Sequence, residues 1–177
     1  MKLLLASLAL LAPLTAAADP MPEAYVGASV AVGGSSLPHT NVTGTISLEA
    51  ERHLGGGLWL HAAAGVSDVG QILENIDGRA IHGQLGVAGR VCTSSARLCA
   101  FAGIDAGARY VDVSGTKNKW VAGTGTDVMY TDIEPMLVPR FGLDLGGDTV
   151  RVRPSIEIPI TPSGVAGMAS LTFAGGL

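Results

Sequence analysis

From Ala24 onward, apolar and polar residues alternate along the chain with a period of two, which is the pattern of β-strands. Clusters rich in glycine, proline and other turn-forming residues separate the alternating segments. No segment carries the i, i+3, i+4 apolar stripe of an amphipathic helix. The pattern predicts eight strands, over Ala24–Gly33, Thr43–Leu54, Leu58–Gly70, Ala80–Cys92, Leu98–Val113, Val128–Leu145, Thr149–Ile160 and Gly164–Ala174.

The connections between these segments are mostly short at one end and longer at the other, although the last one, Thr161–Ser163, is short where a long one is expected. An even number of amphipathic strands joined in this way predicts an all-β protein, an eight-stranded antiparallel up-and-down transmembrane β-barrel. Matching the faces across the short turns predicts cross-strand pairs. These are His53 with Trp59, Glu51 with His61, Cys92 with Cys99, His82 with Arg109, and Asp144 with Arg151.

Alternation alone does not say which face of each strand points inward. The interior of an eight-stranded barrel is only wide enough to be filled by side chains. Glycines such as Gly65, Gly86 and Gly103 share the polar face with the charged residues, which leaves room for long side chains in a narrow lumen. We therefore expect the aliphatic faces to meet lipid and the charged faces to pair with one another inside. The predicted lumen charge network comprises Glu49, Glu51, His61, Arg90, Asp105, Arg109, Asp132, Glu134, Arg140, Asp144, Arg151, Arg153 and Glu157.

The first residues, Met1 to Ala18, have the features of a secretory signal peptide. Lys2 gives a positive start, Leu3–Leu14 form an apolar run, and three alanines provide a small-residue cleavage pattern. The run is far shorter than the ~20 apolar residues that a transmembrane helix needs. We therefore expect residues 1–18 to be a signal peptide and residues 19–177 to form the barrel domain.

These features, together with the opening AYVGASVAVG, resemble the small outer-membrane β-barrel proteins of Gram-negative bacteria, in particular the OmpA/OmpX-type eight-stranded class. The likeness covers Ala24 to Leu177. It implies a location in the bacterial outer membrane, contact with outer-membrane lipid and lipopolysaccharide, and insertion by the barrel-assembly machinery. The sequence departs from the class in its low aromatic content of 5% and in the prolines of the sixth and seventh strands. Those prolines are Pro135, Pro139, Pro154 and Pro159, and the candidates for interfacial aromatic belts are Tyr25, Tyr110, Tyr130, Phe141 and Phe173.

Composition narrows the chemistry further. The formal net charge of -4 argues against a nucleic-acid partner, which would require a basic patch. Cys92 and Cys99 flank one short turn and should form a disulfide in an oxidising periplasm. With no histidine near them, they make a poor zinc site, and we expect no metal and no cofactor.

We also expect no catalytic residues and no enzymatic activity. The histidines His53, His61 and His82 do not converge in the predicted barrel. Barrel lipid-A deacylases use a histidine near the late strands, and this chain has none after His82, so that resemblance fails.

The glycine-rich stretch Gly115–Thr126 is a candidate external contact loop. Its residues Lys117, Lys119 and Trp120 could contact lipopolysaccharide phosphates or an unknown surface partner; a solvated loop with no partner is the alternative.

The function expected from these observations is a non-enzymatic outer-membrane barrel with a charge-plugged lumen and a structural or surface-interaction role. Two alternatives remain open at this point. One is a narrow ion-conducting channel of the same fold, and the other is a soluble periplasmic, lipocalin-like barrel that carries an apolar ligand.

Overall fold

The computed structural model describes residues 22–35, 42–70, 76–117, 126–147 and 149–177, and all of the regular structure in these ranges is β. Within them no helix is long and apolar enough to span a membrane. The strands are β1 (Ala24–Ser35), β2 (Val42–Gly55), β3 (Leu58–Gly70), β4 (Ile76–Cys92), β5 (Leu98–Lys117), β6 (Thr126–Gly146), β7 (Val150–Glu157), β8 (Ile160–Thr161) and β9 (Gly164–Gly176). The predicted signal peptide, residues 1–18, lies outside the described ranges.

The strands β1 to β7 pair antiparallel in chain order, and β9 returns to pair with β1. The strands β7 and β8 lie end to end, and both pair with β6 on one side and β9 on the other. Together they occupy one of the eight strand positions of the barrel, so the predicted eight-stranded antiparallel barrel is confirmed. Because the sheet closes on itself, it has no free edge.

The strand position shared by β7 and β8 is interrupted at Ile158 and Pro159, where the sequence predicted one continuous strand. Pro159 has no N–H to donate, but its carbonyl accepts a hydrogen bond from Ala166 N at 2.9 Å. The Ile158 N–H donates to the Pro139 carbonyl, also at 2.9 Å. Between β6 and β7 there are five register pairs, against twenty between β5 and β6. The prolines are thus accommodated along one sparsely paired seam, which we call the proline seam.

The aliphatic faces of the strands point outward. Leu48 and Ile133, for example, are about 70% exposed. The largest fully buried side chains include Arg151, Arg153 and His61. This distribution is the inverse of that in a water-soluble barrel, whose apolar residues fill the interior.

Glycines on the inward face let charged side chains approach the wall. At Gly86, an added Cβ would collide with the Ile104 carbonyl and the Asp105 carboxylate. Glycine is therefore required there by close packing and not by a turn.

One predicted register is wrong. The sequence placed Asp144 opposite Arg151, but the structure pairs Gly146 with Arg151 and Leu145 with Val152. The reason lies in the turn: β6 continues to Gly146, which has a left-handed φ of 138°, before β7 begins at Val150. A shift of two residues keeps every side chain on its face, so both arginines of β7 still point inward.

Candidate functional site

The interior of the barrel nearest the short turns is filled by ionisable side chains from six strands, β2 to β7. We call this group the central cluster. Its members are Glu49, Glu51, His61, Arg90, Asp105, Arg140, Asp144, Arg151 and Arg153, and all are buried.

Glu51 on β2 joins three guanidinium groups that come from three other strands. Its Oε2 contacts Arg90 Nη2 and accepts a hydrogen bond from Arg153 Nη2 at 2.6 Å. Its Oε1 lies 3.5 Å from Arg140 Nη2. Charge-assisted contacts of this kind are the stronger hydrogen bonds in proteins. One carboxylate therefore ties β2 across the lumen to β4, β6 and β7.

Asp144 on β6 is the second hub of the cluster. Arg153 Nε donates to its Oδ1 at 2.6 Å, and Arg90 Nε lies 2.9 Å from its Oδ2. Arg153 also reaches Glu49, with 3.5 Å between Nη1 and Oε2. Arg153 therefore contacts three carboxylates, which compensates the burial of its charge.

His61 on β3, directly opposite Glu51 in register, and Asp105 on β5 form a further part of the central cluster. His61 Nδ1 lies 2.8 Å from Asp105 Oδ2, and His61 Nε2 lies 3.7 Å from Glu49 Oε2. Arg140 Nε is 3.2 Å from Asp105 Oδ2, and Gln84 Nε2 donates to the same oxygen at 3.2 Å. The Asp105 carboxylate is thus contacted by an imidazole, a guanidinium and an amide.

A second, smaller group of charges lies nearer the long loops. Arg109 Nε donates to Glu134 Oε2 at 2.8 Å, and Tyr130 donates its hydroxyl to Glu134 Oε1 at 2.5 Å. Arg109 Nη2 also donates to Thr161 and Ser163, at 3.2 and 3.1 Å. Tyr130 lies above the apolar belt, and its hydrogen bond to the carboxylate raises the pKa of the phenol to about 12.

Among the described residues, neither Glu157 nor Asp132 forms an ion pair with a member of either group. Glu157 accepts a hydrogen bond from Ser170 Oγ at 2.9 Å. Asp132 is exposed and accepts a hydrogen bond from the Ile133 backbone N–H at 2.7 Å, so its placement in the lumen network is wrong. It has the parity of the inward face, but β8, which pairs with β6 at Leu137, ends at Thr161 and does not extend as far as Asp132.

The sequence reasoning missed an aromatic floor under the central cluster. Tyr25, Trp59 and Phe101 all point inward and are buried, with Trp59 fully enclosed. The Arg90 guanidinium carbon lies 4.2 Å from the Trp59 ring centre, and that of Arg153 lies 5.1 Å from the Phe101 ring centre. These are cation–π distances. Tyr25, which was expected in an interfacial belt, belongs to this floor.

The β4–β5 turn closes over the short-turn end of the barrel. Cys92 and Cys99 are directly opposite in register and are joined by a disulfide, as predicted. Within the bracketed turn, Ala96 is buried and adopts a left-handed φ of 52°. Its carbonyl accepts a hydrogen bond from Arg151 Nη2 at 3.1 Å. The disulfide thus constrains a turn that contacts the central cluster at the short-turn end of the barrel.

A cavity of about 50 Å³ lies on the opposite side of the cluster, toward the long loops. By volume it has room for a few water molecules. Its lining combines polar residues, among them His82, Gln84, Arg109 and Glu157, with apolar ones such as Met136 and Met168.

Across the described ranges, no set of three or more His, Cys, Asp and Glu side chains is arranged to hold a metal ion. In the candidate contact loop, Lys119 and Trp120 lie outside the described residues, and so does the side chain of Lys117, although its backbone ends β5.

The closed barrel with lipid-compatible exterior and ion-paired interior is the fold of small outer-membrane barrels, and comparison with solved structures bears this out. The structure of Neisserial surface protein A matches with a TM-score of 0.70 at 11% identity, over 90% of this chain and 100% of that one. Ail, the attachment invasion locus protein of Yersinia pestis, matches at 0.60 and 12% identity, over 89% and 99%. OprG of Pseudomonas aeruginosa matches at 0.57 and 7% identity, over 88% and 94%. No family model and no curated protein matches the chain. At these identities, the likeness establishes the fold.

Proposed function

We propose that the chain is a non-enzymatic barrel of the bacterial outer membrane, with a lumen closed by the central cluster and a structural or surface-interaction role. The observation that carries the proposal is the contrast between the two surfaces of the sheet. Outside there are aliphatic side chains, and inside Glu51 and Asp144 contact guanidinium groups from three strands. Only a non-aqueous exterior makes this arrangement favourable.

The height of the apolar exterior supports a membrane location. On β5, outward-facing apolar residues run from Leu98 to Tyr110, and the polar Asp112 follows. At a rise of ~3.3 Å per residue and a tilt of ~45°, these positions span roughly 28 Å, against ~25 Å for the apolar band of such barrels. The lipocalin-like alternative is disfavoured, because an apolar ligand would face guanidinium and carboxylate groups.

The interlocked contacts of Glu51 support a lumen that does not conduct. An ion that passes this level must separate Glu51 from Arg90 and Arg153, and separating one buried pair costs ~3–5 kcal/mol. The narrow-channel alternative requires that these contacts open often enough to be recorded.

Planar-bilayer recording distinguishes a closed lumen from a channel. We expect no discrete openings from the parent chain, and discrete openings from a Glu51→Ala variant, which loses both the charge and the volume of the side chain. Glu157→Gln is the matched control, because this carboxylate lies outside the cluster. Steady openings of the parent chain would contradict the proposal, as would a parent chain that stays folded in buffer without detergent.

We also propose that residues 1–18 are removed on export and that the barrel-assembly machinery inserts residues 19–177.

We further propose that Lys117, Lys119 and Trp120 form a contact loop for lipopolysaccharide phosphates. Two cations and an aromatic ring suit anionic sugars, and Ail, which has a similar fold, was solved in complex with the heparin analogue sucrose octasulfate. Replacing all three residues by alanine should weaken binding to lipopolysaccharide vesicles. Unchanged binding would remove the loop from the proposal.

A further inference from the structure

Arg151 is a buried cation that is incompletely paired. Its side chain is about 1% exposed, and Asp144 is the carboxylate that approaches it among the described residues, with 3.9 Å between Nη1 and Oδ2. The other contacts of its terminal nitrogens are neutral: the Ala96 carbonyl at 3.1 Å and Cys99 Sγ at 3.4 Å. Its Nε has no hydrogen-bond partner among the residues that the structure describes. A guanidinium buried in this way is costly unless a further counter-charge reaches it.

Three more buried donors beside Arg151 also lack an acceptor in the part of the chain that the structure describes. They are the Tyr25 hydroxyl, Trp59 Nε1 and Arg90 Nη1. Ring contacts link the four side chains in a series. The Arg151 guanidinium carbon lies 5.1 Å from the Tyr25 ring centre, and that of Arg90 lies 4.2 Å from the Trp59 ring centre. The two rings are 5.6 Å apart.

The charges of the central cluster balance in number, because the four carboxylates of Glu49, Glu51, Asp105 and Asp144 face the four guanidiniums of Arg90, Arg140, Arg151 and Arg153. They are not evenly paired. Glu49, Glu51 and Asp105 contact the other three guanidiniums, whereas Asp144 Oδ2, which is 3.9 Å from Arg151, already lies 2.9 Å from Arg90 Nε. Arg151 is therefore the least compensated cation of the cluster.

We propose that the short-turn end of the lumen binds one small monovalent anion, of the size and charge of chloride. Its ligands are Arg151 Nε, Arg90 Nη1, Trp59 Nε1 and the Tyr25 hydroxyl. A dianion is disfavoured, because Asp144 Oδ2 already lies 2.9 Å from Arg90 Nε. A bulky anion is excluded by the complete burial of all four side chains. The inference does not depend on whether the lumen conducts.

Trp59 gives a direct readout, because bromide quenches tryptophan fluorescence at short range and can replace chloride. Trp120→Phe leaves Trp59 as the single tryptophan of the full chain. This variant, folded in detergent, is titrated with bromide while gluconate, which is too bulky for the site, keeps the ionic strength constant. We expect saturable quenching. In the same background, Tyr25→Phe keeps the ring and removes one donor to an ion, so it should weaken bromide binding by about tenfold. Arg151→Gln should abolish saturation.

Two outcomes overturn the proposal. The first is quenching that is linear in bromide with the same slope in the parent and in Tyr25→Phe, which would mean that trapped water satisfies the donors. The second concerns Asp148, which lies outside the described residues and three positions before Arg151. If Asp148 is the missing counter-charge, bromide will saturate in an Asp148→Asn variant and not in the parent. The proposal requires the same bromide affinity in both. If Arg151→Gln does not fold, the comparison with Tyr25→Phe decides the matter.

Discussion

Replacing Glu51 by glutamine tests whether the central cluster holds the barrel together. The amide has the shape of the carboxylate but no charge, so it cannot compensate Arg90 and Arg153. Breaking one buried ion pair costs ~3–5 kcal/mol. Here both arginines keep Asp144, which lies 2.9 Å from Arg90 Nε and accepts from Arg153 Nε at 2.6 Å. We therefore expect a loss at the lower end of that range, about 3 kcal/mol.

The assay is equilibrium unfolding by denaturant in lipid vesicles, followed by the change in gel mobility between folded and heated chains. Asp132→Asn is the matched control, because this carboxylate is exposed and accepts a hydrogen bond from the neighbouring Ile133 backbone N–H. Substitutions at exposed positions usually change the free energy of unfolding by about 0.5 kcal/mol or less, so this variant should stay close to the parent.

A double-mutant cycle with Arg90→Gln isolates the direct pair. If Glu51 and Arg90 interact as the structure indicates, the double variant should be more stable than the sum of the two single losses predicts. Equal losses for Glu51→Gln and Asp132→Asn, or strict additivity in the cycle, would refute the role assigned to Glu51.

Three further predictions follow from local geometry. Replacing Cys92 and Cys99 by serine should lower the free energy of unfolding by about 2.5 kcal/mol, the loop-closure value for so short a turn, and reducing agent should then have no further effect. Gly86→Ala should reduce the yield of heat-modifiable barrel, whereas Gly83→Ala, whose new Cβ meets open space, should fold like the parent; equal yields would contradict the packing argument. The Tyr130 phenol should titrate near pH 12, seen as the tyrosinate absorbance that is lost in Tyr130→Phe, and titration near 10 would show that its bond to the carboxylate does not persist.

Alternation of residue types was sufficient to predict the strands and their faces, because side chains in a strand point alternately to opposite sides. The same rule could have placed two members of the aromatic floor. Tyr25 shares its face with Gly27 and Ser29, and the aliphatic Val26 is on the other. Trp59 shares its face with His61. Tyr25 was assigned to an interfacial belt by its residue type alone, without regard to the face of the strand on which it lies.

The alternation of faces does not show how far along the barrel axis a residue lies. Asp132 is two residues from Glu134 and has the same parity, yet it is exposed while Glu134 is buried. Whether an inward residue is enclosed depends on how far the neighbouring strands extend. Likewise, the pairing of Asp144 depended on the turn conformation at Gly146, and an error of two residues in a turn leaves every face unchanged.

The proline seam and the central cluster are structurally linked, because an ion pair of the cluster bridges the seam. Prolines deprive the boundary between β6 and β7 of backbone hydrogen bonds, and the register pairs stop on either side of Pro154. Directly beside this gap, Asp144 of β6 accepts from Arg153 of β7 at 2.6 Å, so a side-chain ion pair bridges the two strands where the backbone ladder is absent. Because Arg153 also donates to Glu51 across the lumen at 2.6 Å, the same contact anchors the seam to β2. The cluster therefore does more than fill the lumen: it closes the barrel wall where the sequence cannot supply a continuous ladder.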